Sequence, residues 1–275
     1  MTAFPLSSKL LASFEGENAA GRQWIADLPS TVAELAERWG LELGEPFQPG
    51  GQCSWAAPVV RDGVELVLKV GWPHEEARDE ALGLQAWNGA GAVRLLAHDE
   101  AANAMLLERL RPGTSGWDLP AAEQDELVAS MLRRLWIPAP AGFRALGEMC
   151  EQWTSREPRN ALEGDGFALF RELARTAPAE VLLHTDLHAG NILAAEREPW
   201  LVIDPKPYVG DPAYDLTQHF MSCTHFEADP AALVRRMADL VELDEERVRR
   251  WAFARCIVES AGQPQLLAAA RQLGP

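Results

Sequence analysis

No stretch of this 275-residue chain is apolar for long enough to span a bilayer, which excludes a helical membrane protein. Cysteine is scarce. Cys53, Cys150, Cys223 and Cys256 lie far apart, and no two have the spacing of a cysteine-pair metal finger. A chain of this length does not need disulfide staples, so reduced thiols are expected. Basic charge is also in deficit. Lys and Arg total 25 against 41 Asp and Glu, a net charge of −16. A nucleic-acid partner requires a basic face, so that class is excluded. A negative field suits a cationic small molecule, and it serves solubility equally well. Residues 1–11 lack the charged-then-apolar pattern of a secretory signal, which places the expected location in the cytoplasm. There is no internal repeat and no low-complexity tract.

What is present divides at one point. Residues 22–39 carry helical spacing in Trp24, Ile25, Leu28, Val32, Leu35 and Trp39, with a break expected at Pro29-Ser30. Pro46 to Gln52 is turn-forming. Val59-Val60, the turn Arg61-Asp62-Gly63 and Val64 to Val70 read as a hairpin. A helix follows over 75–88, then strands at 93–97 and 104–107. The first hundred or so residues thus predict a small antiparallel sheet with one inserted helix. Arg111 to Gly116 breaks that pattern and is the expected boundary, giving domains 1–110 and 111–275. Beyond it, helices dominate at 120–136, 142–155, 164–176 and within 212–272. They are interrupted by a strand–loop–hairpin at 181–204. The fold class is α+β, two-lobed.

That interruption carries the chemistry: Val181-Leu182-Leu183-His184-Thr185-Asp186-Leu187-His188-Ala189-Gly190-Asn191, then Leu201-Val202-Ile203-Asp204. Phosphoryl transfer needs a carboxylate to orient the attacking hydroxyl and accept its proton, and oxygen ligands for Mg²⁺. Asp186 lies on a loop after an apolar strand. A hairpin through Ala195–Pro199 would return Asp204 to the side of Asn191, pairing two oxygen ligands beside the base.

His184-x-Asp186 with Asn191, followed by Ile203-Asp204, resembles the catalytic loop and metal-binding aspartate of eukaryotic-like kinases. The string His184 to Asn191 is similar to the aminoglycoside phosphotransferase branch. The extension Ile203-Asp204-Pro205-Lys206-Pro207-Tyr208-Val209-Gly210-Asp211-Pro212-Ala213-Tyr214-Asp215-Leu216 resembles the aminoglycoside/hydroxyurea resistance kinases. So do Val67 to Pro73, Gly91 to Leu96 and Leu106 to Leu110. The likeness covers most of 20–220 and is weak over 115–175 and in the last fifty residues.

The resemblance implies a protein-kinase-like fold and an ATP- and Mg²⁺-dependent kinase. Its small-molecule acceptor would be a cationic aminoglycoside, phosphorylated as in streptomycin 6-phosphorylation. It makes Asp186 the base, Asn191 and Asp204 the Mg²⁺ ligands and His184 the support of the loop 184–191. Lys69 would meet nucleotide phosphates, held by Glu80 or Glu76. The backbone from Glu108 to Leu110 would meet adenine at the hinge, and Asp215 would brace the loop. Two positions depart from the pattern. Thr185 stands where glycine is usual, and a β-branched residue resists unusual backbone angles, so a differently shaped loop is expected. Pro49 to Ser54 is not Gly-x-Gly-x-x-Gly. Alternatives remain: a kinase for hydroxyurea or another metabolite, a hydrolase metal cluster of His184, Asp186 and His188, or an inactive binding module of the same fold. Asp118, Glu148, Glu151 and Glu259 are acidic candidates for an acceptor site, or equally for helix-pairing charge.

Overall fold

The computed structural model describes residues 4–14 and 19–274. They form two compact units: one of residues up to 89 with 93–110, the other of 90–92 with residues from 111 on. No helix among the described residues is long and apolar enough to cross a membrane.

The first unit opens with α1 (Ser8–Phe14) and α2 (Ala19–Trp39). Its sheet is built of β1 (Glu42–Leu43), β2 (Ser54–Arg61), β3 (Val64–Gly71), β4 (Leu95–Asp99) and β5 (Ala104–Glu108). The order is β1-β2-β3-β5-β4, antiparallel throughout. β2 and β3 are joined by Asp62-Gly63, with φ of 53° and 77°, the left-handed pair that matches the twist of a two-residue hairpin. Alternation along β3 sends Leu66, Leu68 and Val70 to one face, where they join Leu28, Val32 and Leu35 of α2 in a single buried cluster. The opposite face carries Lys69. α3 (Glu80–Trp87) is inserted between β3 and β4.

The expected break at Pro29 does not occur: α2 runs through it. Proline removes one helical donor. Burial of Leu28, Val32 and Leu35, each no more than 1 % exposed, holds the helix on its sheet regardless. The Ser30 and Thr31 hydroxyls both donate to the Asp27 carbonyl beside the interruption, at 2.8 and 3.1 Å.

The second unit contains β6 (Pro112–Ser115), α4 (Ala121–Leu135), α5 (Leu146–Trp153), α6 (Ala161–Arg175) and β7 (Val181–Leu183). There follow β8 (Ile192–Ala195), β9 (Trp200–Val202), β10 (Tyr208–Gly210), α7 (Pro212–Asp215) and α8 (Thr217–Ser222). α9 (Pro230–Val241), α10 (Glu245–Glu259) and α11 (Pro264–Leu273) complete it. The segment expected as a plain break, 112–115, is a strand. β6 pairs with β8 in the order β6-β8-β9, a partner too distant in sequence to be announced by local pattern. β7 pairs with β10, so the strands on either side of the 184–204 segment close it into a loop-and-hairpin. Val202 N–H donates to the Gly91 carbonyl at 2.9 Å, which ties residues 90–92 to this unit.

Its core is aromatic. Phe170 of α6, Tyr214 of α7 and Trp251 of α10 meet edge to face, with centroids 5.1–6.0 Å apart. α6 and α10 approach closely at Gly166, where an added Cβ would stand 2.4 Å from Ile257 Cγ2. Gly166→Ala is therefore expected to cost about 1–3 kcal/mol, the usual range for overpacking. Urea denaturation of this variant and of Gly166→Ala/Ile257→Ala checks the cause. Ile257→Ala alone also costs stability by leaving a cavity, so it is measured as well. The double-variant loss should be smaller than the sum of the two single losses, and additive losses would remove the steric explanation.

Candidate functional site

In the second unit the loop after β7 is held almost entirely by its backbone. Asp215, fully buried on α7, accepts from His184 N–H at 3.0 Å, Thr185 N–H at 2.6 Å and Trp136 Nε1 at 3.0 Å. Burial raises its pKa to about 6, and these donors oppose the rise. Lys206 N–H donates to the His184 carbonyl at 2.9 Å. Asn191 Nδ2 donates to the Asp186 carbonyl at 2.9 Å, closing the loop from its far end.

Thr185 has a φ of 55°, so the β-branched residue adopts the left-handed conformation it was expected to avoid. The loop keeps the shape that glycine would permit. Two bonds offset a strain of roughly 1–3 kcal/mol: the N–H to Asp215, and the Oγ1 donating to the Lys206 carbonyl at 2.5 Å. Asp204 is also left-handed, at 59°. Its neighbour Ile203 donates N–H to the Asn191 carbonyl at 2.9 Å, so the hairpin holds the Asn191 and Asp204 segments side by side.

His184 is completely buried. Its Nδ1 accepts from Asp186 N–H at 3.3 Å and its Nε2 donates to the Ile203 carbonyl at 3.2 Å. Burial depresses its pKa to about 3, so it is neutral and serves as a spacer between loop and hairpin. The Asp186 carboxylate is 15 % exposed, with Lys206 Nζ 3.1 Å from its Oδ2. Burial and the Asp204 charge raise its pKa, while Lys206 pulls it down. Lys206 and Trp136 are the partners that sequence reasoning missed. Each acts on a residue distant in the chain, and only Lys206 sits inside a recognisable motif.

His188 Nδ1 accepts from Gly190 N–H at 3.0 Å, and its ring stacks on Trp117 with centroids 4.9 Å apart. A Cβ at Gly190 would fall 2.8 Å from the Trp117 ring, so this approach requires glycine. His184, Asp186 and His188 do not gather as metal ligands. The one such group found among the described residues is His219, Cys223 and His225. The hydrolase cluster fails because both His184 nitrogens already face backbone partners. Of the acidic candidates, Glu259 ion-pairs with Arg255 at 2.5 Å and Glu151 lies 3.9 Å from Arg171. Asp118 ends the turn at 116–118 and Glu148 lies in the first turn of α5.

In the first unit, Lys69 Nζ donates to both oxygens of Glu80 at 2.6 and 2.7 Å, with the two residues 9 % and 5 % exposed. Glu76 lies in the short turn at 75–77. Glu108 N–H donates to the Arg94 carbonyl at 3.0 Å, and its Oε1 accepts from Arg94 N–H at 2.9 Å. Leu110 follows, 7 % exposed.

His184 and Asp215 make opposite demands on pH. Unfolding lets His184 take up a proton between about pH 6.5 and 3, so it lowers stability as pH falls. Asp215 holds its proton in the fold up to about pH 6 but only to about 3.8 when unfolded, so it favours the fold as pH falls. The two cancel between about pH 6 and 4. Asp215→Asn should leave His184 unopposed and steepen the acid-side loss by about 1.4 kcal/mol per pH unit. Urea midpoints across that range test this; parallel curves for variant and parent would refute it.

Residues 38–265 match the family model described as aminoglycoside/hydroxyurea antibiotic resistance kinase. The chain is 41 % identical over 261 residues to the streptomycin 6-kinase of Streptomyces griseus, covering 86 % of this chain and 83 % of that one. It is 40 % identical over 255 residues to the hydroxyurea phosphotransferase of Kitasatospora aureofaciens, covering 87 % and 74 %. Its fold is that of the choline kinase LicA from Streptococcus pneumoniae, with a TM-score of 0.64 at 15 % identity, over 90 % of this chain and 98 % of that one.

Proposed function

The chain belongs to the aminoglycoside/hydroxyurea antibiotic resistance kinase family, and on that footing we propose that it moves the γ-phosphoryl group of ATP to a hydroxyl of a cationic aminoglycoside, as in 6-phosphorylation of streptomycin. The enzyme class is that of its relatives, a phosphotransferase with an alcohol acceptor. The observation that carries the proposal is the Asp186 carboxylate, set on a backbone-braced loop with an ammonium group 3.1 Å away.

Asp186 accepts the proton of the acceptor hydroxyl as its oxygen bonds to the γ-phosphorus and the bond to ADP breaks. Neutral His184 keeps the loop spaced from the hairpin. Lys206 holds Asp186 ionised against burial and the Asp204 charge. Asn191 and Asp204 offer hard oxygens of the kind Mg²⁺ takes. Asn191 spends its amide nitrogen on the Asp186 carbonyl, which leaves Oδ1 for a cation. Bound magnesium would neutralise charge on the phosphate oxygens. Lys69, fixed by Glu80, offers an ammonium group of the kind that meets nucleotide phosphates. Glu108 N–H is engaged by the Arg94 carbonyl, and the rest of the backbone from Glu108 to Leu110 is the segment we assign to adenine.

Two substitutions separate the roles. Asp186→Asn is expected to lower turnover by about 10²–10⁴ with nucleotide affinity nearly intact. Lys206→Met removes the cation that lowers the Asp186 pKa, so the acid limb of kcat/KM should move to higher pH. An unmoved limb would deny Lys206 this role, and lost nucleotide affinity in Asp186→Asn would deny Asp186 its own.

The Kitasatospora relative supports hydroxyurea as a second acceptor reading. ATP-dependent phosphate transfer assayed on streptomycin and hydroxyurea distinguishes the two. With a net charge of −16, a cationic acceptor should lose kcat/KM as KCl rises at saturating MgATP, mostly through slower association. Hydroxyurea, being neutral, should show almost no dependence. A best acceptor that is neutral would overturn the aminoglycoside assignment and leave the role of Asp186 intact.

A further inference from the structure

Away from the catalytic loop, one group of side chains has the composition of a metal site. His219 lies on α8, Cys223 caps that helix, and His225 follows two residues later. One ligand atom from each lies within 4.8 Å of the other two. The four-residue spacing from His219 to Cys223 puts both on one helical face. The chain then turns, and the rings of His225 and His219 stand with centroids 6.2 Å apart.

Asp125 of α4, 2 % exposed, holds both rings: its Oδ1 is 2.8 Å from His219 Nε2 and 3.0 Å from His225 Nε2. Its Oδ2 accepts from Arg236 Nε of α9 at 3.0 Å. A neutral imidazole that donates from one nitrogen keeps a lone pair on the other, and a carboxylate behind a histidine is the usual outer partner of a metal ligand. His219 is 1 % exposed at its side chain and His225 31 %, so the group is anchored on one side and accessible on the other.

We propose that His219, Cys223 and His225 form a binding site for one thiophilic divalent cation of the zinc class, with Asp125 fixing the two imidazoles. Sulfur with two imidazoles is a donor set that selects zinc over magnesium, so the site is chemically distinct from Asn191 and Asp204. An ordinary cysteine is a thiol near neutral pH and binds metal as the thiolate, so formation of the metal–sulfur bond expels that proton to solvent. The competing explanation is an ion-pair network centred on Asp125, which makes no use of sulfur. α8 directly follows α7, which carries Asp215, so a bound cation would pin the segment that braces the catalytic loop.

The test uses full-length protein, treated with chelator and carrying Cys53→Ser to remove the exposed thiol. Zn²⁺ is titrated by calorimetry and Co²⁺ by absorption, without nucleotide. The expected result is one Zn²⁺ per chain, one proton released on binding, and a sulfur-to-cobalt charge-transfer band. Cys223→Ser should abolish the band and the proton release and weaken Zn²⁺ by at least about tenfold. Asp125→Asn should keep the band and weaken Zn²⁺ by about 10–100-fold. No Zn²⁺ uptake at micromolar free metal would overturn the proposal. So would a cobalt spectrum without a sulfur band, or unchanged affinity in Cys223→Ser, the pattern expected of a cation at Asn191 and Asp204. The spectrum and proton count of the parent decide the matter even if a variant fails to fold.

Discussion

The carboxylate of Asp215 is the constraint on which the shape of the loop after β7 rests. It is fully buried, and burial alone would favour its neutral form. Three donors, two of them consecutive backbone N–H groups, make the ionised form useful instead. At the other end of the same short helix, Asp211 accepts from Ala213 N–H at 3.0 Å, Arg247 Nε at 2.5 Å and Trp251 Nε1 at 2.6 Å. α7 is therefore clamped to α10 by one carboxylate and holds the loop with the other. The aromatic cluster around Tyr214 fills the space between them.

Around that clamp the charges are set against one another. His184 is kept neutral, Asp186 is raised by burial and lowered by Lys206, and Asp204 stands nearby. Arg255, fully buried beside Tyr214, Trp153 and Glu259, adds a further positive influence on Asp186. In the first unit a single ammonium shared by two carboxylate oxygens at Glu80 makes the same use of a buried pair: position rather than net stability.

Much of this was legible in the sequence. The β2–β3 hairpin was announced by Asp62-Gly63 between β-rich runs, and the loop 184–191 by its spacing, because both are local features. The brace from Asp215 came through family resemblance, since nothing at residue 215 itself points back to residue 184. Trp136 was invisible because its value lies in one long-range donor, and β6 because its partner is β8. Proline at 29 misled because burial on the sheet outweighs a lost helical bond. Thr185 misled because its penalty is real but is offset by a hydroxyl bond to a residue of the hairpin. The His219, Cys223 and His225 group leaves no trace in cysteine spacing, because two of its donors are imidazoles and α4 supplies the carboxylate.

Most of the hydrogen bonds that hold the loop share one property: they grip main-chain atoms. Asp215 takes the N–H groups of 184 and 185, Asn191 the carbonyl of 186, Thr185 the carbonyl of 206, and Lys206 N–H the carbonyl of 184. Peptide groups are the same in every residue, so the loop's shape is insensitive to most side-chain changes elsewhere in the chain. On the role proposed for Asp186, phosphoryl transfer is thereby a trait that withstands most substitutions outside the residues that grip the loop.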